Sequence, residues 1–146
     1  MATRVITGIG DITAAIAKFQ SNIKNSWRAC VDSSIPAFSM SGAIKQGYVA
    51  AKGRGVKIRY VTEITNDNAE QCIELEKFVE LRHLGNVAGS FAVSESEFVA
   101  GIRGEKTLEK LVYSDEKELV QSQQDVFETL WENAAPAKDR IKELER

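Results

Sequence analysis

The stretch that decides the fold is Gly53–Thr65, GRGVKIRYVTEIT. Its first glycine follows a helical pattern, and glycine just past a last turn commonly ends a helix. From Val56 onward apolar residues alternate with polar ones, and Val61 makes the centre of the run apolar on both sides. A strand that is apolar on both faces is typical of a sheet covered by helices on both sides. The stretch therefore predicts a helix that ends near Gly53 and is followed by a buried strand.

This predicted strand ends in a polar cluster that contains Thr62 and Glu63. A second predicted strand, Trp27–Val31, also ends at a polar residue, Asp32. Ligands of open α/β sheets bind outside the carboxyl ends of the strands. If the two strands are parallel, these side chains line one rim of a cleft. The alternative interpretation is local: the polar residues only cap the next helix or face solvent.

The rest of the chain alternates between helical and strand-like patterns. Apolar residues at helical spacing predict helices over residues 11–27, 41–52 and 66–78, the last with Thr65 or Asp67 as its cap. Short apolar runs predict strands over residues 81–84, 89–94, 97–102 and 111–113. Together these elements predict an α/β domain with a partly parallel sheet.

The last predicted helix is the longest element, and Ser114 is its predicted cap. Its apolar residues recur at alternating spacings of three and four from Val120 to Leu144, which is a heptad-like seam. Pro136 is expected to kink or restart this helix. The residues predicted for a dimer contact or a signal relay are Phe127, Leu130, Trp131, Ile141 and Leu144. We predict a single α/β domain over residues 1–135 and a helical extension or linker over residues 136–146.

The composition predicts a cytoplasmic domain with one core. A chain of 146 residues can bury one sizeable core, and no apolar run reaches the roughly 18 residues of a membrane span. The first residues also lack the apolar block of a secretory signal. The net charge of −2 argues against direct nucleic-acid binding, although Lys52, Arg54, Lys57 and Arg59 are a local basic group. We expect no membrane partner.

Several stretches resemble a known type of domain. They are ACVDSSIP, RGVKIRYVTEIT, ELRHLGNVAGSFAVSESEFVA and LVYSDEKELVQSQQDVFETLWENAAPAKDRIKELE. Over about residues 20–145 the chain is similar to a domain of ammonia-oxidising archaea that often precedes PAS and histidine-kinase modules. More distantly, RGVKIR, ELRHL, FAVSESE and FETLW resemble the phospholipase-D-like effector domains of archaeal sugar-responsive transcription regulators. The resemblance implies a sensory or regulatory domain with one phospholipase-D-like half-fold, in which helices flank a mixed sheet and a long helix ends the chain.

The resemblance carries no catalytic residue across. Phospholipase D enzymes use a His-x-Lys motif followed by Asp, in which His is the nucleophile and Lys holds phosphate oxygens. The matching stretch SFAVSESEFVAG contains neither His nor Lys, and the one histidine of the sequence is His83. We therefore predict that the domain is not an enzyme. A hydrolase that uses His83 with Asp32 or Glu63 is the least favoured alternative. Without a Gly-rich phosphate loop, no cofactor is predicted.

The residue types that bind soft metals do not have the spacing of a metal site. Cys30, Cys72 and His83 are the candidates, since thiolates and imidazole suit zinc or copper. Both cysteines lie in apolar patterns, where free cysteine behaves as a small hydrophobe, and metal or redox sensing is the alternative. His83, beside Arg82, is either a hydrogen-bonded core or rim residue or a group that senses pH or an anion. No metal site is predicted.

These observations predict a non-catalytic sensory or regulatory domain of archaeal signal transduction or transcription control, which responds to a small-molecule or protein signal. The residues predicted for its ligand site, as polar groups near one rim, are Asp32, Arg59, Thr62, Glu63, Arg82, His83 and Glu95. We expect a homodimer whose C-terminal helix relays the signal to a downstream kinase or regulator module. The alternative is a dimerisation module that binds no small ligand.

Overall fold

The computed structural model describes residues 2–146, and within them one mixed sheet of eight strands carries helices on both faces. The strands are β1 (Thr3–Thr7), β2 (Ser26–Val31), β3 (Lys57–Thr62), β4 (Glu80–His83), β5 (Ser90–Ser94), β6 (Phe98–Arg103), β7 (Leu108–Ser114) and β8 (Ala135–Pro136). The helices are α1 (Ile9–Asn22), α2 (Ile35–Ser39), α3 (Gly42–Gly53), α4 (Ala69–Leu75), α5 (Lys117–Glu132) and α6 (Ala137–Leu144). The predicted α/β class with a mixed, helix-flanked sheet is confirmed.

The order of the strands in the sheet is β1-β7-β6-β5-β2-β3-β4-β8. Strands β2, β3 and β4 are parallel, and all other neighbours are antiparallel. The parallel strands are those joined by helices, because a parallel pair needs a connection that returns to the same end of the sheet. The carboxyl ends of β2, β3 and β4 therefore lie side by side, as the sequence predicts for the first two.

Strand β3 is apolar on both sides because both faces of the sheet are covered. Ile58 and Tyr60 belong to the larger core, together with residues of α1 and α3. Val61 points to the other face, where it packs with Phe127 and Trp131 of α5. Tyr60 and Val61 are both fully buried. The two-sided burial predicted from Gly53–Thr65 is thus confirmed.

The first helix is shorter than the sequence pattern predicts. Helix α1 ends at Asn22, and Trp27, the last residue of the predicted helical stripe, belongs to β2. The indole of Trp27 stacks on Tyr48 of α3, with ring centroids 4.1 Å apart. Both Ile23 and Trp27 pack in the larger core. The apolar spacing continues past the end of the helix because helix and strand bury residues in the same core.

Strand β1 is absent from the sequence-based prediction. Thr3–Thr7 pair antiparallel with β7 and form one edge of the sheet. Apart from the half-buried Ile6, the residues of this strand are exposed. An edge strand that buries little apolar surface lacks the pattern by which buried strands are recognised.

The predicted helix caps are wrong. The N-cap position of α4 is occupied by Asn68 rather than by Thr65 or Asp67, and Asn68 Oδ1 accepts a hydrogen bond from the N–H of Thr65 at 2.9 Å. At the start of α5 the N-cap position is Glu116, and its N–H donates to Ser114 Oγ at 3.1 Å. These polar side chains stabilise the loop before each helix instead of the first helical turn.

The terminal apolar stripe is divided between two helices. Phe127 and Trp131 of α5 pack on one face of the sheet. Helix α5 then ends, and the short strand β8 (Ala135–Pro136) pairs with β4. A new helix, α6, begins at Ala137, in agreement with the predicted restart at Pro136. Ile141 and Leu144 of α6 pack against the core on the other face. The predicted seam is therefore not continuous. Within residues 2–146, none of the helices has the length and hydropathy that crossing a bilayer demands.

Candidate functional site

The carboxyl ends of the three parallel strands bring Asp32, Thr62 and His83 together at one rim of the sheet. Val31 is in register with Thr62, and Thr62 is in register with His83. The hydroxyl of Thr62, which is fully buried, donates to the carbonyl of Asp32 at 3.2 Å. Glu63 follows Thr62 in the sequence, and its carbonyl accepts a hydrogen bond from Asn68 Nδ2 at 2.9 Å. Of the predicted site residues, these four share one place in the fold.

Asp32 joins the loop after β2 to strands β5 and β6. Its Oδ1 accepts hydrogen bonds from the N–H and the hydroxyl of Ser34 at 2.9 and 2.5 Å, and its Oδ2 accepts from Ser90 at 3.0 Å. Arg103 Nη1 lies 3.6 Å from Oδ1. Burial raises the pKa of Asp32, but the bonds from Ser34 and Ser90 and the charge of Arg103 outweigh burial, so that the pKa is lowered. The carboxylate is therefore ionised at neutral pH.

His83 uses one ring nitrogen to hold the loop after β3. Its Nδ1 accepts a hydrogen bond from the N–H of Ile64 at 2.9 Å, so the neutral ring carries its proton on Nε2. Burial lowers the pKa of His83, and the positive charge of Arg140 lowers it further. Among residues 2–146 no hydrogen bond joins His83 to Asp32 or Glu63. This geometry does not place a general base beside a nucleophile.

Arg59 lies in the middle of β3 and Arg82 directly before His83, and the side chains of both arginines lie on the face of the sheet covered by α5. Arg59 is in register with Arg28, and both donate to the carboxylate of Glu128. The hydrogen bond from Arg59 is the main cause that lowers the pKa of Glu128. Arg82 donates to the carbonyl of Trp131 at 2.8 Å, and its guanidinium lies 4.1 Å from the centre of that ring. The prediction that both arginines lie at the rim is wrong, because side chains along a strand alternate between its faces.

Glu95 lies at the other end of the sheet, so its predicted place on the rim is also wrong. It sits in the turn after β5, which runs antiparallel to β2 and therefore ends beside the start of β2. Its carboxylate accepts three hydrogen bonds of 3.0–3.1 Å from the N–H groups of Lys24, Asn25 and Ser26. Burial raises the pKa of Glu95, but these bonds outweigh it and the pKa is lowered. Glu95 anchors the connection between α1 and β2.

A cavity of about 70 Å³ lies between the sheet and helices α1, α2 and α3. Ser90, which donates to Asp32, is one of its lining residues, so the cavity reaches the rim. Two other lining residues, Gln20 and Trp27, are almost completely buried. The Gln20 Nε2 donates to the carbonyl of Ile44 at 3.0 Å. Within the part of the chain that the structure describes, Gln20 Oε1 and Trp27 Nε1 have no hydrogen-bond partner.

Sequence reasoning misses the polar residues of this cavity and of the rim. Gln20 lies on the buried side of α1 next to Phe19, and a polar residue within an apolar stripe is the signal that would have indicated it. Arg28, Ser90 and Arg103 have no comparable local signal. Their contacts depend on the register of strands that are far apart in the sequence.

The two cysteines lie in different parts of the core. Burial raises the pKa of Cys30 to about 11 and that of Cys72 to about 12. Both thiols are therefore protonated at neutral pH, and the protonated form is a poor nucleophile and metal ligand. Among residues 2–146, no three His, Cys, Asp or Glu side chains converge into a group that could hold a metal ion.

Solved structures of other proteins share this architecture. Nuc from Salmonella typhimurium, a phospholipase D family member, superimposes with a TM-score of 0.74 over 92% of this chain and 97% of its own, at 17% sequence identity. NucT from Helicobacter pylori gives a TM-score of 0.72 over 92% of this chain and 98% of its own, also at 17% identity. TrmBL2, an archaeal chromatin protein whose structure shows a novel mode of DNA binding, gives 0.71 over 93% of this chain at 17% identity.

The chain covers almost all of Nuc and NucT but only 53% of TrmBL2. No known protein family matches the sequence, and no curated protein matches it either. At this level of identity the comparisons establish the fold alone. The eight-stranded mixed sheet with its flanking helices is thus a phospholipase-D-like fold, of the kind that also occurs in an archaeal DNA-binding protein.

Proposed function

We propose that this chain is a non-catalytic regulatory domain that binds a small signal molecule beneath the rim of its sheet. The observation that carries the proposal is the cavity between the sheet and α1–α3, because two of its lining residues, Gln20 and Trp27, each bury a polar atom that has no hydrogen-bond partner among residues 2–146. An unsatisfied buried polar group costs about 1–3 kcal/mol. A ligand that bonds to these groups recovers that free energy. Apolar cavities with a few polar groups are also the usual form of small-molecule sites.

The rim supports binding rather than catalysis. A nucleophile in a hydrolase needs a base within hydrogen-bond reach, and the base is oriented by a third group. Here Nδ1 of His83 holds the backbone of Ile64, and the carboxylate of Asp32 is bonded to Ser34 and Ser90. These groups hold loops in place, which is what a binding site with a fixed rim requires.

The core provides a physical connection between the cavity and the last helix, α6. Ile35 and Phe38 of α2 line the cavity and pack in the same cluster as residues of α6. A ligand shifts the arrangement of these helices only if it binds two arrangements with different affinity. We propose that this shift is relayed to a downstream kinase or regulator module. The residues of α5 and α6 that would carry it are Phe127, Leu130, Trp131, Ile141 and Leu144.

A second candidate function is contact with nucleic acid, favoured by a basic groove at the amino ends of β2 and β3. Arg28, Lys52, Lys57 and Arg59 line this groove, and Glu128 neutralises part of the charge of its two arginines. TrmBL2, of which 53% is covered by this fold, binds DNA. Binding of duplex DNA that weakens with added salt and is lost in Lys52→Glu/Lys57→Glu would support this function.

A thermal-shift screen with metabolites, combined with hydrolysis assays, tests the proposed function. We expect one class of compound to raise the unfolding midpoint, because a ligand that binds only the native state must stabilise it. We also expect no turnover of ester or phosphodiester substrates. Turnover that disappears in His83→Ala would instead assign a hydrolase. A stable dimer that no compound stabilises would assign an interaction module.

A further inference from the structure

We infer that the cavity takes a small uncharged molecule with a short apolar body and one end that both donates and accepts a hydrogen bond, such as a primary amide or an alcohol. The inference rests on the proposed function and adds the chemical class of the ligand. It follows from the size of the cavity, the charge of its walls and the polar atoms of two of its lining residues.

The size of the cavity limits the body of the ligand. Its volume is about 70 Å³. An engineered apolar cavity of about 150 Å³ is known to hold benzene, which has six carbon atoms, so this one encloses about three non-hydrogen atoms of a ligand. A sugar ring or a nucleotide is too large to be enclosed here. Part of a longer ligand can extend toward the rim beside Ser90, which lines the cavity.

The charge of the walls limits the ligand to neutral molecules. Among residues 2–146, those that line the cavity carry no charged side chain, and Ala29, Val31 and Leu111 are typical of its walls. Burying an ion without a partner costs far more than a hydrogen bond returns. At the rim, the charges of Asp32 and Arg103 already face each other at 3.6 Å. A carboxylate or an ammonium group would therefore find no counter-ion inside.

The two unpartnered atoms determine the polar end of the ligand. Gln20 Nε2 donates to the carbonyl of Ile44, which fixes the orientation of the amide, and Oε1, which packs beside Gly47, has no hydrogen-bond partner among residues 2–146. Trp27 Nε1–H can only donate. Gln20 is 1% exposed and Trp27 is 2% exposed, so bulk water does not satisfy either atom. A primary amide or a hydroxyl supplies one donor and one acceptor in a single group.

Nuclear magnetic resonance with butyramide as the probe tests this inference. The chain has two tryptophans, so two indole N–H signals are expected, and Trp131→Phe assigns the signal of Trp27. Butyramide at millimolar concentration is expected to shift the Trp27 signal saturably and to leave that of Trp131 in place. Butyrate and butylammonium, which have the same chain length but carry a charge, are the matched probes. Neither is expected to shift the Trp27 signal.

Variants of the cavity walls locate the site. Ala29→Val adds two carbon atoms to a lining residue and is expected to abolish the shift caused by butyramide. Ala100→Val adds the same atoms to the face of the sheet that α5 covers, and it should leave binding unchanged. Gln20→Met removes the acceptor at similar length and should weaken binding of butyramide about tenfold, the loss of one hydrogen bond. If Ala29→Val does not fold, Ala92→Val, at another lining residue, replaces it.

Two results would overturn the inference. One is binding of butyrate or butylammonium as tight as that of butyramide, and the other is a butyramide shift that persists in Ala29→Val. If a compound from the metabolite screen stabilises wild type and Ala29→Val equally, the regulatory function stands and the proposed ligand class and site fail. If no metabolite of the screen stabilises the chain although butyramide binds in the cavity, the regulatory function fails instead.

Discussion

The backbone N–H of Ile64 donates to Nδ1 of His83 at 2.9 Å, and the carbonyl of Ile64 accepts a hydrogen bond from Nε of Arg140 at 3.0 Å. Ile64 is fully buried, so side chains from β4 and α6 together satisfy both polar groups of a residue that has no access to water. The loop after β3 is therefore held from two sides. One of those sides belongs to the C-terminal helix that we propose as a signal relay.

Replacing His83 tests this contact. His83→Leu leaves the N–H of Ile64 without a partner, and we expect the free energy of unfolding to fall by about 1–3 kcal/mol. His83→Asn offers an amide oxygen to the same N–H and should lose less. Urea unfolding followed by circular dichroism measures both variants. Equal losses would show that the hydrogen bond does not stabilise the fold.

The same contact should make the stability depend on pH. Burial and Arg140 lower the pKa of His83, although Glu63 and Glu143 partly oppose them, so the unfolded chain binds a proton more readily than the native chain. The stabilisation is complete above the unfolded pKa of about 6.5 and is lost as the pH falls through the lower folded pKa. We expect the urea midpoint to fall more steeply between about pH 8 and pH 5.5 in wild type than in His83→Asn. Parallel pH profiles of the two proteins would contradict this assignment.

Glu95 should contribute to stability rather than to ligand binding. Glu95→Gln removes the charge that accepts three backbone N–H groups, and we expect a loss of about 1–2 kcal/mol. Because its pKa is lowered in the fold, this stabilisation is present above the unfolded pKa of about 4.3 and is lost as the pH falls through the folded pKa. Glu105→Gln, at an exposed position, is the control in urea unfolding. A Glu95→Gln protein that keeps wild-type stability but no longer binds the ligand would instead show that Glu95 belongs to the ligand site.

The carboxylate of Glu128 forms salt bridges with both Arg28 and Arg59, two positively charged residues on neighbouring strands. Its side chain is 43% exposed, so we expect Glu128→Gln to lose only about 1 kcal/mol or less. The loss should shrink with added salt, because salt screens charges near the surface. Glu132→Gln removes an exposed carboxylate from the same helix and is the control. Unfolding curves at low and high salt check this, and a loss that is unchanged by salt would speak against an electrostatic origin.

Gly47 leaves the space that the amide of Gln20 occupies. A Cβ at Gly47 would lie 1.9 Å from Gln20 Oε1. Gly47→Ala should therefore destabilise the wild type, although alanine favours a helix by roughly 1 kcal/mol over glycine. In the Gln20→Ala background the same change should stabilise. A double-mutant cycle measures the coupling, and Gly53→Ala, where a Cβ meets nothing within 4 Å, is the control on the same helix. Additive effects of the two changes would show that the side chains do not compete for space.

The fold is readable from the sequence where each element carries its own pattern. Val61 is apolar in a strand whose other face is also apolar. Asp32 directly follows its strand, and Thr62 is the last residue of its strand. Local patterns of this kind predict both the covered sheet and the rim. They also lead to errors at boundaries, as at Trp27, where a strand continues the spacing of the preceding helix.

The arrangement of the candidate site is harder to predict from the sequence, because it depends on the register of strand pairs. Whether Arg59 faces the rim or α5 is decided by strand alternation, and the position of Glu95 is decided by the antiparallel pairing of β5 with β2. Neither property is local. The cavity depends in addition on how α1 and α3 approach each other, and Gln20 indicates it only as a polar residue on a buried helical face.

The first and last strands form the two opposite edges of the sheet. Neighbouring strands are about 4.8 Å apart, so the intervals from β1 to β8 add up to roughly 34 Å. A module fused before β1 would begin at one edge of the sheet, and a module fused after α6, which packs beside β4 and β8, would begin near the opposite edge. The domain would keep the two attachment points a fixed distance apart. A conformational change passed from one module to the other through this domain would involve the whole sheet.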